Sequence, residues 1–180
     1  MKIGNAPRII TGIAKGKKLK VPESARPITD RVKTSIFDSL GDVVDGMSVL
    51  DLFAGSGTMG LEALSRGAKS AVFVDSDKHA AQTIMENIES TGLENADVYN
   101  VKAEDFLKQL DTTYDIIFID PPYSETEKFD PGTLLNATHS GSLVIFRTPE
   151  IDVQISEGLE LIDSKEMGNS IVWYFKPKAV

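Results

Sequence analysis

The sequence predicts an α/β protein built on a mostly parallel sheet with helices on both faces, and three observations carry that expectation. Short, near-continuous apolar runs recur between residues 48 and 147, as strands buried on both faces require. Segments with apolar residues at helical spacing separate these runs. A glycine-rich turn, Gly55-Ser56-Gly57-Thr58-Met59-Gly60, links the first run to the first of those helical segments, the strand–turn–helix arrangement of α/β ligand sites.

Taken in order, residues 8–12 and 16–21 read as two short strands around a glycine-containing turn. Pro22 and Pro27 punctuate a loop, and Thr29 opens a helix with Val32, Ile36, Phe37 and Leu40 on one face and Gly41 as its stop. Residues 48–53, 70–75, 97–101, 114–120 and 143–147 are the expected parallel strands. Helices are expected at 58–66, at 78–90 after the capping residue Asp77, and near 104–110. Residues 159–164 and 170–176 read as an antiparallel hairpin closing the sheet. Trp173, Met59 and Met85 are expected to pack internally, and His79 and His139 to lie on helices or the surface without a catalytic partner.

The length of 180 residues suits one domain with a small appendage, here a 1–28 arm on a 29–180 domain. A hydrophobic fraction of 41% excludes a disordered or collagen-like chain. The absence of cysteine removes disulfides, thiolate zinc sites and cysteine nucleophiles, and no metal is expected. No apolar run approaches the roughly 18 residues of a membrane span, and the basic N-terminus lacks the apolar stretch of a signal peptide. A cytoplasmic protein without a membrane partner is the expectation.

A net charge of −8 argues at first against a nucleic-acid partner. The charge is unevenly placed, however. The stretch from Met1 to Lys33 carries nine basic and two acidic side chains, or +7, so the rest of the chain carries −15. Lys15, Lys17, Lys18 and Lys20 stand close together within that basic stretch. A basic arm attracted to phosphate and an ordinary solvated hairpin are the two readings of this pattern.

The glycine turn satisfies G-x-G-x-x-G, and Asp75 ends the next strand, at the spacing where a dinucleotide fingerprint has its acid. Taken alone this matches that fingerprint. Asp51, four residues before the first glycine of the turn, is a poor companion for a pyrophosphate at a helix N-terminus. It suits a ligand with positive charge, such as S-adenosylmethionine with its sulfonium and ammonium groups, with Asp75 accepting from ribose hydroxyls. A nucleotide site and a purely structural turn remain the competing readings.

The fourth parallel strand ends in Asp120-Pro121-Pro122-Tyr123. Ligands of open α/β sheets lie beyond the carboxyl ends of the strands, so this turn is expected beside the glycine turn. The proline pair restricts the backbone and holds Asp120 and Tyr123 in a fixed relation. An exocyclic amine on a nucleobase is a poor nucleophile because its lone pair is delocalised. The Asp120 carboxylate and the Pro121 carbonyl can accept its two hydrogens, and Tyr123 offers a stacking face for an extruded base.

These residues resemble known families. The stretch from Asp51 to Gly60 resembles motif I of the class I S-adenosylmethionine-dependent methyltransferases, and Asp120–Tyr123 resembles their amino-methylating motif IV. Arg8-Ile9-Ile10-Thr11-Gly12, Lys15-Gly16-Lys17-Lys18-Leu19 and Arg26-Pro27-Ile28-Thr29-Asp30-Arg31-Val32 carry a narrower resemblance. With Phe37 and Gly60-Leu61-Glu62-Ala63-Leu64-Ser65-Arg66-Gly67-Ala68, the chain is similar to the RsmD family of 16S rRNA (guanine-N2)-methyltransferases.

The resemblance implies a Rossmann-like class I methyltransferase core, with a seven-stranded sheet and an antiparallel last strand, preceded by a β-hairpin that grips RNA. It implies that Asp51, Phe53, Gly55, Ser56 and Gly57, then Asp75, Ser76, Ala103 and Asp120, hold S-adenosylmethionine. Asp120, Pro121, Pro122 and Tyr123 would hold the target guanine amine. Arg8, Lys15, Lys17, Lys18, Lys20, Arg26, Thr29 and Arg31 would face RNA, with 16S rRNA in the small ribosomal subunit as partner and a monomer as the working form.

The chain departs from the family in three places. Lys102 stands where an acid for the adenine amine is usual, Arg147 ends the fifth strand where an acid is usual, and the 124–141 segment is short before a divergent tail. Two other functions share part of this pattern. A DNA adenine-N6 methyltransferase uses the same four-residue motif, although 180 residues leave little room for a sequence-reading domain. A non-catalytic RNA-binding assembly factor could keep the fold without the activity.

Overall fold

The structure, a computed structural model, describes residues 6–126, 129–149 and 156–179. Its centre is a seven-stranded sheet. In chain order the strands are β1 (Ser48–Leu52), β2 (Ser70–Val74), β3 (Ala96–Tyr99), β4 (Ile116–Ile119), β5 (Leu143–Pro149), β6 (Leu159–Glu166) and β7 (Ser170–Pro177). They lie in the order β3-β2-β1-β4-β5-β7-β6. The first five pair in parallel, and β7 enters antiparallel between β5 and β6. This is the expected sheet, with both final strands antiparallel.

Alternation along the central strands sends side chains to two cores. Val49, Phe73, Ile116 and Phe118 face a core closed by the N-terminal segment, α1 (Asp30–Leu40), α2 (Thr58–Ser65) and α3 (Lys78–Thr91). Leu50, Leu52, Ile117 and Ile119 face the other, closed by α4 (Ala103–Lys108) and a 3-10 turn over Pro131–Ala137. Burial on both faces explains why these strands read as continuous apolar runs.

The helix boundaries follow from capping. Thr29 accepts a hydrogen bond from the Val32 amide and starts α1, and Gly41 with φ 55° ends it. Asp77 accepts from the His79 amide at the start of α3, and left-handed Gly92 ends that helix. Two side chains expected in the core differ. Met85 is exposed on α3, and Trp173 is half-buried, its indole N–H donating to Thr148 at 2.9 Å.

The expected N-terminal hairpin has less strand than its sequence suggests. One antiparallel bridge joins Arg8 and Lys18, and neither flank is a regular strand. Lys2 lies outside the described residues. Residues 7–19 lie on the body, with Ile9, Ala14 and Leu19 buried in the first core. Gly12, at φ 90°, lets this turn approach the end of α2 so closely that a Cβ would overlap the Ser65 carbonyl. The Ile13 amide donates to that carbonyl at 2.9 Å, and the Ala14 amide to Ser65 Oγ at 3.0 Å.

Fully buried Lys33 and Glu62 secure the same junction. The Glu62 carboxylate accepts from the Ile10 and Thr11 amides and from Arg66 Nε, and pairs with Lys33 Nζ at 3.3 Å. Lys33 also donates to the Arg8 carbonyl. An alternating apolar and basic pattern predicts a short hairpin, but it carries no sign that a glutamate far along the chain supplies the missing partners for its amides.

Candidate active site

The carboxyl ends of the parallel strands bring the two turns together. Asp51 lies in β1 and is almost fully buried. Its Oδ2 accepts from the Gly60 amide at 3.0 Å, so the carboxylate spans the glycine turn and holds the start of α2 against β1. Gly55 and Gly57 have φ of 59° and 75°, which side chains rarely tolerate. Gly60 has a different reason to be glycine: a Cβ would sit 2.3 Å from the buried Phe73 ring. Phe53 also adopts a positive φ, 57°, and packs edge-on against Phe129 with centroids 5.5 Å apart. No sequence signal marks that residue as left-handed, and an aromatic held there is strained.

Asp75 follows β2 and accepts from the Gly55 amide at 2.8 Å and the Asp77 amide at 2.9 Å. It therefore fixes the glycine turn relative to α3 before any ligand is considered. Ser24 donates to Asp77, tying the loop after the basic segment to the same place. Asn87, a buried α3 residue that sequence reasoning missed, joins both parts. Its amide donates to the Lys20 and Ser56 carbonyls, each at 2.9 Å, and accepts from the Lys20 amide at 2.8 Å. Ser56 is buried with its hydroxyl 2.6 Å from that of Thr58, Ser76 is exposed, and Ala103 is buried at the start of α4. Lys102 precedes α4 and is exposed.

Asp120 follows β4. Pro121 is buried, Pro122 is exposed, and half-exposed Tyr123 opens the short helix α5 (Tyr123–Thr126). The Pro122 carbonyl accepts from the Glu125 and Thr126 amides, which anchors the turn. The Arg26 guanidinium lies 5.6 Å from the Tyr123 ring centroid, so the loop leaving the basic segment reaches this mouth. Arg147 from β5 makes a two-pronged pair with Asp120, Nε to Oδ1 at 3.0 Å and Nη2 to Oδ2 at 2.9 Å.

Three carboxyl groups thus gather where β1, β2 and β4 end, and each is pushed above its ordinary value. Burial is the main cause at Asp51, where Asp120 and Asp75 add like-charge repulsion and the Gly60 amide opposes. Burial also raises Asp75 against two amide hydrogen bonds, and raises Asp120 against the attraction of Arg147. Carboxylates in this condition favour a cation. S-adenosylmethionine, with two positive centres and a ribose, matches this set of acceptors, and an anionic pyrophosphate does not. Among the described residues no cluster of histidine and acidic side chains could hold a metal ion.

The basic residues divide into two groups. Lys17 Nζ donates to the Ser90 and Thr91 carbonyls at the end of α3, Lys20 pairs with Glu86 at 2.7 Å, and Arg8 pairs with Asp30 at 3.3 Å. Lys15, Lys18, Arg26 and Arg31 are exposed and have no ion-pair partner among the described residues. Thr29 serves as the cap of α1. Among the described residues no helix is long and apolar enough to cross a membrane.

Known proteins are similar to this chain in sequence and in fold. The model of a family described as conserved hypothetical protein 95 matches residues 7–176. Ribosomal RNA small subunit methyltransferase D of Escherichia coli K12 is 44% identical over 118 residues, covering 64% of this chain and 60% of that protein. The protein of the same name from Haemophilus influenzae is 42% identical over 122 residues, covering 64% and 63%. The alignments therefore span less than two thirds of these curated relatives. Among solved structures, Escherichia coli yhhF has a TM-score of 0.84 at 32% identity, covering 97% of this chain and 99% of that one. A hypothetical protein of Thermus thermophilus has a TM-score of 0.81 at 33% identity, covering 94% and 98%.

Proposed function

The chain belongs to the family whose model spans residues 7–176, the RsmD family, and from that premise we propose that it is a class I S-adenosylmethionine-dependent rRNA methyltransferase. Its target, in this reading, is the exocyclic N2 amine of a guanine in 16S rRNA of the small ribosomal subunit. The observation that carries the proposal is the convergence of Asp51, Asp75 and the Asp120–Tyr123 turn at neighbouring strand ends.

Bound S-adenosylmethionine would supply an electrophilic methyl group on a sulfonium. Asp51 and the glycine turn would hold its positively charged methionine end, Asp75 its ribose, and Ser76 and Ala103 the surroundings of its adenine. The Asp120 carboxylate and Pro121 carbonyl accept the two amine hydrogens, and this turns the nitrogen lone pair out of conjugation. Tyr123 stacks on the extruded base with Arg26 on its rim. These residues would work by positioning and by electrostatic complementarity to positive charge that passes from the sulfonium to the amine nitrogen, which then gives up a proton to solvent. Lys15, Lys18 and Arg31 attract the RNA backbone, so the described part of the 1–28 arm, residues 6–28, faces RNA on the 29–180 domain.

Transfer of labelled methyl groups to undermethylated small ribosomal subunits, followed by mapping of the modified base, tests this function. Incorporation at a guanine N2 is expected. Asp120→Ala should lower the rate by about 10²- to 10³-fold, the usual loss for an oriented group at a reacting centre, while cofactor binding persists. Labelling of unmodified DNA but not rRNA would favour an adenine-N6 enzyme instead. Full function after Asp120→Ala would favour a non-catalytic assembly factor.

A further inference from the structure

We infer that Arg147 is a positioning residue for methyl transfer, clamping the Asp120 carboxylate in one orientation and leaving its remaining lone pairs to the target amine. The inference rests on the methyltransferase reading above. β4 and β5 are parallel neighbours, with Ile119 paired to Phe146, so Asp120 and Arg147 meet just past the end of that ladder. Nε and Nη2 of one guanidinium bind both carboxylate oxygens at 3.0 and 2.9 Å.

A planar fork of this kind fixes the rotation of the carboxylate as well as its position. An ionised carboxylate offers about four lone-pair sites, and the fork occupies two. The side chains of Arg147 and Asp120 are 18% and 28% exposed, so the pair is set into the protein while part of Asp120 stays open to an incoming amine.

Asp120 has other charged neighbours. Asp51 on β1 is close enough for the two carboxyl groups to repel, Asp75 follows β2, and Arg26 lies beyond Tyr123 at the start of α5. Among the described residues, Arg147 is the group that directly binds it. Without the guanidinium, burial would push Asp120 further toward its protonated form. A protonated Asp120 offers the amine a weaker and differently oriented acceptor. The clamp therefore sets the direction of Asp120 and favours its charged form.

Two measurements on the full chain test this. Carboxyl ¹³C shifts report the Asp120 titration without any RNA. Methyl transfer from labelled S-adenosylmethionine to undermethylated small subunits gives kcat and KM across pH. Arg147→Gln is expected to raise the Asp120 midpoint, move the acid limb of kcat to higher pH, and lower kcat by up to about 100-fold, the cost of a small misplacement at a reacting centre. KM and cofactor affinity should change little.

Arg147→Lys, which keeps the charge but not the fork, should return the acid limb toward the wild-type position while kcat stays reduced. It also serves if the glutamine variant does not fold. An unchanged Asp120 midpoint and kcat in either folded variant would overturn the inference. So would lower kcat that tracks lost thermal stability without any pH shift, since a plain strand-to-strand tie predicts that. If the wild-type protein transfers no methyl group although Arg147→Gln raises the Asp120 midpoint, the methyltransferase reading fails and the clamp remains supported.

Discussion

Two buried charge clusters in this molecule have opposite designs. At the N-terminal junction, Glu62 is surrounded by Lys33, Arg66 and two backbone amides, so its carboxylate is fully provided with donors. At the strand ends, Asp51, Asp75 and Asp120 crowd together, and Arg147 is the one arginine bound to them among the described residues. The first cluster is complete without a ligand and docks one piece of chain on another. The second is short of positive charge, and a cationic ligand relieves that deficit. Burial alone does not separate a structural ion cluster from a functional one; the balance of donors and charges does.

The largest expected effect comes from breaking the complete cluster. Glu62→Ala leaves the buried Lys33 ammonium with only the more distant Asp30, at 4.0 Å, and the Ile10 and Thr11 amides without acceptors. Burial already pushes Lys33 below its ordinary value, and Glu62, with a smaller part from Asp30, opposes that push. Removing one partner of a buried pair costs about 3–5 kcal/mol. Chemical denaturation should show a loss of that order, and limited proteolysis should cut first in residues 6–22. A loss below about 1 kcal/mol, the range of exposed pairs, would remove the contrast between the clusters.

The incomplete cluster should respond in the reverse sense. Asp51 ionises above its ordinary range in the folded protein, so its contribution to stability is fully present below the unfolded value and is lost as pH rises through the folded one. A bound cation favours the ionised form. The thermal stabilisation given by S-adenosylmethionine should therefore grow as pH rises through that interval and level off above it. Asp51→Asn keeps an acceptor for the Gly60 amide but removes the charge. It should weaken cofactor binding by about 10- to 100-fold, from the roughly 1.5–3 kcal/mol typical of hydrogen bonds to charged groups, and leave the ligand-free protein as stable or more so. Calorimetric titration at several pH values measures both, and pH-independent binding would contradict the charge argument.

Much of this contrast is legible in the sequence, on one side only. Asp75 and Asp120 stand out because each ends an apolar strand beside a turn, and Asp51 because it interrupts one just ahead of the glycine turn; strand ends in a parallel sheet converge. The parallel strands and helices α1 to α4 are likewise readable, since burial on both faces and capping residues leave local patterns. The N-terminal junction leaves no such pattern. Its stability depends on contacts between segments far apart in the chain, and Glu62 on α2 looks like any helical surface acid. Phe53 and Asn87 are inconspicuous for the same reason: one is held in a strained conformation and the other in a buried bridge by neighbours distant in sequence. Arg147 stands out as a departure from the family pattern, but its partner Asp120 emerges only from the alignment of β4 with β5.

The smallest effects should come from the exposed lysines, and they carry the comparison to the surface. Lys17 and Lys20 are already engaged by the end of α3 and by Glu86, whereas Lys15 and Lys18 have no ion-pair partner among the described residues. Equal charges at neighbouring positions should therefore contribute unequally to RNA attraction. Reversing Lys15 and Lys18 to glutamate should weaken subunit binding and reduce the salt dependence by about one logarithmic unit per lost phosphate contact. Cofactor affinity should not change. The same reversal at Lys17 and Lys20 should place like charge beside Glu86 and the carbonyl end of α3, so part of its effect should appear in thermal stability. Equal salt dependence in both double variants would mean that RNA draws Lys17 and Lys20 away from α3, and that the basic segment is rebuilt when it binds.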